Sequence, residues 1–395
     1  MSSLSRVISL ASLALSVAAL PYGTEESCPA PPRALYTITN DYNNSVVALP
    51  IGADGKIPGC SFGRLTSTGG SGGNTINSGK KAAPDALSSQ AALTIAGNYI
   101  FAVNAGSNSV SMFSIDAQDP TKVTMIGQPA VVSGDFPVTV AASLNSSQVC
   151  VGCSGTRSGV SCASYSAEGI GAMDDLRSFE LGQSMPPTGP LNTVSQIFFS
   201  TDESILYTTI KGDPSQNKTG FLAAFSVTDG QVEHDGAMTS PNGTVALFGT
   251  TQIPDSTNLF VTDAGFGSVI LEVDGTGAAT LQDKVEIQGQ KATCWSTISP
   301  ATNTAFVTDV ALNRLVEQSL TDASIVAEID LAANGDPGLT DLQAGGKFIY
   351  ALSPGNGTTQ AAIAVVDATT KRQVQHFGLQ MSGVSKNAQG IALLL

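Results

Sequence analysis

Histidine is nearly missing from this chain: His234 and His376 are the only two among 395 residues. They lie in VEHDG and VQHFG, both expected on outermost strands. A Ser–His–Asp triad needs its histidine within hydrogen-bond reach of the nucleophile, and a zinc site needs two or three converging His or Cys ligands. Neither chemistry is expected here. Basic residues are also few, 18 Lys and Arg against 32 Asp and Glu, for a net charge of −14. Such a surface repels phosphate backbones and anionic lipid headgroups, and no basic patch interleaves with aromatics, so no nucleic-acid partner is expected. Beyond the N-terminus no apolar run is long enough to cross a bilayer, which predicts no membrane insertion. No segment keeps a 3.6-residue apolar period, so helices should be scarce. Gly69-Gly70-Ser71-Gly72-Gly73 matches G-x-S-x-G but lacks the strand-to-helix elbow that exposes the serine. The stretch 73–81 fails as a phosphate loop, because Lys81 stands where Ser or Thr is required. No cofactor is expected.

What the chain does have is repetition. Seven times a short apolar strand ends in a polar residue and is followed by a second apolar strand. The first strands are LYTITN (35–40), YIFAVN (99–104), VCVGCS (149–154), LYTTIK (206–211), LFVTD (259–263), AFVTD (305–309) and IYALS (349–353). The second strands begin at Ser45, Ser109, Gly159, Gly220, Gly267, Leu312 and Ala361. A spacing of 44 to 64 residues suits four-stranded propeller blades. The 41 glycines and 19 prolines suit the many turns that such a ring needs. No apolar strand directly precedes Ala34, and QGIALLL (389–395) has no partner of its own. The expected fold is therefore an all-β, seven-bladed β-propeller closed by the C-terminal strand, which supplies the innermost strand of the first blade and removes the open edge. The glycine-rich stretch 68–81 reads as a long loop between blades.

The first 20 residues read as an export signal: Arg6 is the only charge, 7–20 is apolar, and Val17-Ala18-Ala19 offers small residues for cleavage. Residues 21–395 are then one propeller domain, expected in the secretory pathway, secreted or on the cell surface, and as a monomer. Five acceptor sequons, at Asn43, Asn145, Asn217, Asn242 and Asn356, fit a glycoprotein. Six cysteines are then expected to be largely oxidised. Cys150 and Cys162 sit on adjacent strands of one hairpin and are expected to pair. Cys28 with Cys60 would tie down the N-terminal segment, leaving Cys153 and Cys294.

In a propeller the connection from second to third strand shares one face with the connection entering each blade. That face should carry Asn40, Asn104, Arg157, Lys211, Asp263, Asp309 and Ser353. The entering segments add Asp85, Asp135, Phe136, Phe248, Trp295, Asp341 and Gln389. An apolar floor with a few convergent charged groups is the usual composition of a small-molecule pocket. Lys211 opposite Asp263 and Asp309, with Arg157 as a further donor, would serve acid–base or oxyanion-type catalysis. Asn104, Phe136, Phe248, Trp295, Asp341 and Gln389 would bind substrate. Asn104, Asp263 and Asp309 also have the oxygen chemistry of a Ca²⁺ site, but structural pairing is the preferred reading and no metal is expected.

The segments PDALSSQ (from Pro84), FAVNAGSNSVSMFSID (from Phe101), GDFPVTVA (from Gly134), KATCWSTIS (from Lys291) and NAQGIALL (from Asn387) resemble the secreted, lactonase-like seven-bladed propellers of filamentous fungi, often labelled 3-carboxymuconate cyclase-like. The resemblance covers nearly all of the mature chain. It implies one of three functions. The first is a ring-forming cycloaddition, as in fungal hetero-Diels–Alderases that join a tropolone quinone methide to a sesquiterpene. The second is lactone hydrolysis or muconate-type cycloisomerisation. The third is a non-catalytic surface glycoprotein or adhesin. The chain departs from the sugar-lactonase pattern in having no histidine near the axis, which favours the first over hydrolysis.

Overall fold

The computed structural model describes residues 33–395. The proposed export signal and Cys28 lie outside the described residues. Seven antiparallel sheets follow one another along the chain, and the innermost strand of each packs against the innermost strands of its neighbours, closing a ring. This is the seven-bladed propeller read from the repeats. Its blades begin at Ala34, Leu93, Pro137, Val194, Leu247, Thr293 and Thr340 and are numbered 1 to 7 below.

The burial pattern of each strand follows from its place in the blade. In blade 5, Leu259–Asp263 is buried at every position and Gly267–Val273 at all but one. Inner strands are covered on both sides by adjacent blades, so apolar residues face either way. The outer strand of the same blade, Ala279–Glu286, alternates between covered and exposed residues, because only one of its faces meets a neighbour. In blades 3 and 4 the outer strand is split, into Gly169–Ile170 with Arg177–Ser178 and Gln231–Val232 with Ala237–Thr239. His234 lies in the exposed turn between the two pieces in blade 4, and His376 on the outer strand of blade 7.

The ring is closed by Gln389–Leu394, which pairs antiparallel with Ala34–Ile38 as the innermost strand of blade 1. Its Ile391 is buried among Leu35, Tyr350 and Leu352, so the closing strand also joins blade 1 to blade 7. Cys150 and Cys162 stand opposite each other on neighbouring strands of blade 3 and form a disulfide. Cys60 is exposed and has no disulfide partner among the described residues, while Cys153 and Cys294 are buried thiols. All five sequon asparagines are exposed. Among the described residues no helix is long and apolar enough to cross a membrane.

The stretch between blades 1 and 2 is more ordered than a loop. Ile76–Asn77 and Lys80–Lys81 form a two-stranded hairpin outside the blades. Ser78 and Gly79 both take positive φ, 50° and 75°, the pattern of a type I′ turn, whose twist matches that of the paired strands. Ile76 is latched to the connection between blades 3 and 4: its N–H donates to Pro187 at 2.8 Å, and its carbonyl accepts from Gly189 at 2.6 Å.

Candidate functional site

The centre of the ring is not a channel at this face. The segment entering blade 2, residues 88–91, crosses it and bonds to four other blades. Ser89 Oγ donates to Val138 O of blade 3 at 2.7 Å, and the Gln90 backbone N–H donates to Ser195 O of blade 4 at 2.9 Å. The Gln90 side chain exchanges two hydrogen bonds with the backbone of Ser296 in blade 6. The backbone N–H of Ala91 donates to Asp341 of blade 7. PDALSSQ is thus an axial plug, and the axial pocket expected from the sequence is displaced. The cavity lies off the axis, over blades 4, 5 and 6, with the hairpin at 76–81 as its outer wall.

This cavity has a volume of about 660 Å³. Its apolar surface comes from Ala82, Pro84, Leu191, Val245, Phe248 and Val310, and its charged groups are Lys81, Asp85, Lys211 and Lys291. Lys211 is the deepest of these, only 2 % exposed. Its Nζ donates to Ser88 O at 2.6 Å and has two longer contacts, to Val194 O and Ser195 Oγ, both at 3.4 Å. It also lies 4.6 Å from the centre of the Phe248 ring, a cation–π placement. Burial pushes the Lys211 ammonium below the ordinary lysine range, and the charge of Asp85 opposes that shift. Burial pushes Asp85 upward, against the attraction of Lys211. The two are linked through one residue, since the Ser88 N–H donates to Asp85 Oδ1 at 3.0 Å and Ser88 O accepts from Lys211. The Cys294 thiol also lines the cavity; burial, and then the charge of Asp85, push it well up, so it is not a thiolate at neutral pH.

Of the residues singled out from the sequence, the structure brings Lys211, Phe248 and Asp85 into this one cavity. Trp295 is fully buried behind it, edge-on to Phe248 at 5.0 Å, with its indole N–H donating to Ser89 O. Trp295 therefore stiffens the floor and touches no ligand space. Asp263 and Asp309 do not face the cavity either. Asp263 accepts from the N–H groups of Val245, Ala246 and Gly265, and Asp309 from those of Lys291, Ala292 and Ala311. Five of those six residues line the cavity, so the two carboxylates hold its wall in shape. Burial raises the Asp263 carboxyl against these backbone donors.

The remaining candidates lie elsewhere. Arg157 is exposed and paired with Asp135 at 2.8 Å over blade 3. Asn104 is buried between blades 1 and 2, bonded to Asn44, Thr68, Ser109 and Ser111. Phe136 packs under the glycine-rich loop, where a Cβ on Gly73 would lie 2.9 Å from its ring. Asp341 is buried at the plug, accepting from Ala91, Leu342 and Ile391. Gln389 is fully buried in the closing strand, and neither atom of its side-chain amide meets a partner among the described residues. These five positions are not in the cavity because they sit on blades 1, 2, 3 and 7, whereas the open space is over blades 4 to 6. Lys81, Lys291 and Cys294 also line the cavity and are not among the residues singled out from the sequence. Their signal was weak: two adjacent lysines in a glycine-rich stretch of an acidic chain, and an unpaired cysteine beside the only tryptophan. Among the described residues no three His, Cys, Asp or Glu side chains converge as a metal site would require.

No protein-family model and no curated protein matches the chain. Solved structures do. A periplasmic gluconolactonase of Pseudomonas aeruginosa superposes with a TM-score of 0.63 at 14% identity, over 91% of this chain and 99% of that one. A putative 6-phosphogluconolactonase of Bacteroides uniformis gives a TM-score of 0.53 at 15% identity, over 70% and 80% of the two chains. The hydrazine synthase of Kuenenia stuttgartiensis gives 0.52 at 13% identity, over 89% and 99%. Proteins of such different names at such low identity have a chain path in common with this one; the likeness is one of fold.

Proposed function

We propose that the off-axis cavity is the active site of an enzyme that promotes a ring-forming cycloaddition of the hetero-Diels–Alder type. The observation that carries this reading is the pairing of a largely apolar, half-enclosed cavity with one deeply buried ammonium, Lys211. A cycloaddition requires no nucleophile. It requires two partners held together in reacting geometry, an advantage worth roughly 7–11 kcal/mol at its best, and a hydrogen-bond donor aimed at the oxygen that gains charge. Lys211 fits that second role. Its short bond to Ser88 fixes the ammonium in place, while the two 3.4 Å contacts are weak enough to be exchanged for a substrate oxygen. Phe248 supplies part of the apolar floor on which an unsaturated partner would pack, and Trp295 braces it edge-on. The family resemblance supplies the substrate pair, a quinone methide and a terpene.

The test is to incubate the protein with a quinone methide precursor and humulene and to follow product formation by chiral chromatography. The expected result is an accelerated reaction giving one stereoisomer. Replacing the donor, Lys211→Met, should lower the rate by about 10²–10³, the usual loss for one such donor. Because Lys211 also anchors the plug, Phe248→Ala serves as the second variant, and folding of both is checked by circular dichroism. A racemic product at the rate seen in buffer would overturn the reading.

A second reading, lactone opening or cycloisomerisation, is favoured by a carboxylate, Asp85, and an ammonium, Lys211, in one cavity, a base and an acid for proton transfer. It predicts turnover of simple lactones that is lost in Asp85→Asn. A surface glycoprotein without catalysis would be the result if neither reaction were accelerated.

A further inference from the structure

In a chain of net charge −14, the cavity presents three ammonium groups and one carboxylate. The three are not equivalent. Lys211 is buried, committed to Ser88, and accompanied by Asp85 as its counter-charge. Lys81, at the end of the hairpin, and Lys291, on the rim of blade 6, are exposed, and neither side chain is ion-paired among the described residues. The backbone of Lys291 is held in place, since its N–H donates to Asp309 Oδ2 at 2.6 Å. The backbone of Lys81 is held by the hairpin, whose strand Ile76–Asn77 is latched to Pro187 and Gly189. Two cations free of protein partners are thus mounted on two separate walls of one cavity. Leu191, Val245 and Phe248 give the same cavity its apolar surface. The nearby acidic groups on blades 5 and 6, Asp263 and Asp309, are turned away and occupied by backbone N–H donors.

We infer that this site selects an amphiphilic organic anion and orients it, with its acidic group held outward between Lys81 and Lys291 and its apolar body inward against Phe248. The inference rests on the cavity being the active site and names the kind of substrate that it admits. The positive rim also offsets, at this one point, the repulsion that the acidic surface exerts on an anion. A neutral terpene would then enter second, packing on the apolar body already in place.

The probes are 1-naphthoate, its neutral methyl ester and the cationic 1-naphthylmethylammonium. Binding is followed through the fluorescence of Trp295, the sole tryptophan, which contacts Phe248, and is checked by calorimetry. The carboxylate should bind at least ten-fold more tightly than the ester, and the amine more weakly than both. The double substitution Lys81→Gln with Lys291→Gln should remove that preference while the ester binds as before; both side chains are exposed, and thermal unfolding verifies the fold. The proposal is overturned if the carboxylate shows no binding at millimolar concentration, if ester and carboxylate bind equally, or if the double variant keeps its preference, which would assign the anion to Lys211. These outcomes are independent of catalysis: anion selection with no product would remove the cycloaddition and leave the substrate class standing.

Discussion

At the residue scale, the length of the side chain decides whether a charged group reaches the cavity or braces its wall. Lys211, Asp263 and Asp309 occupy the same place at the end of a second strand, yet only Lys211 reaches the cavity. A carboxylate is short enough to cap N–H groups of its own turn and of the adjacent segment entering its blade, whereas the lysine stem carries its charge past them to Ser88. Asp341 shows the cost of burying such a carboxylate. Burial pushes its carboxyl up to about 7, although three backbone N–H groups favour the ionised form. A folded-state pKa above the unfolded one, about 3.9, means that the native state binds more protons between those values. Stability must therefore fall as pH rises from about 4 through 7, by about 1.4 kcal/mol for each unit of the upward shift. In urea titrations between pH 5 and 8, wild-type stability should decline relative to Asp341→Asn; parallel curves would show that Asp341 does not titrate there. By the same reasoning, any reaction that depends on the Lys211 ammonium should lose rate at a lower alkaline pH than an ordinary lysine would allow, as a pH–rate profile would show.

At the element scale, two pieces outside the repeating pattern govern the site: the hairpin at 76–81 and the plug at 88–91. The hairpin's turn depends on Gly79, held at φ 75° with nothing within 4 Å of where its Cβ would be. Gly79→Val is therefore a clean perturbation, straining the turn by about 1–2 kcal/mol without a clash. It should leave the melting temperature of the ring within a few degrees of wild type and weaken ligand retention several-fold, measured as an increased dissociation rate. An unchanged rate would mean that the hairpin does not wall the cavity. Both pieces were hard to read from the sequence for one reason. Strands announce themselves by apolar alternation, and these segments, INSGKK and SSQA, are mostly polar, which reports a turn but not the partner across the ring to which it bonds.

At the scale of the whole molecule, stability depends on a joint between residues more than 350 positions apart. The closing strand buries Ile391 where blades 1 and 7 meet. Ile391→Ala should cost roughly 2–5 kcal/mol, the range for truncating a fully buried isoleucine. Removing the last seven residues should abolish cooperative unfolding in calorimetry, because blade 1 would then offer an open edge to solvent. A truncated protein melting as the full chain does would show that the ring stays closed without its clasp.

The number of blades, the place of each inner strand, the closing role of the C-terminus and the Cys150–Cys162 pair were all determined by the sequence alone. Each follows from local alternation or from adjacency within one hairpin. Tertiary structure alone decided where the open space lies. Seven similar blades offer seven similar rims, and which of them is filled depends on bonds made across the ring by four residues at 88–91 and on a hairpin laid over one side. Those contacts join positions far apart in the chain, and no local pattern encodes them.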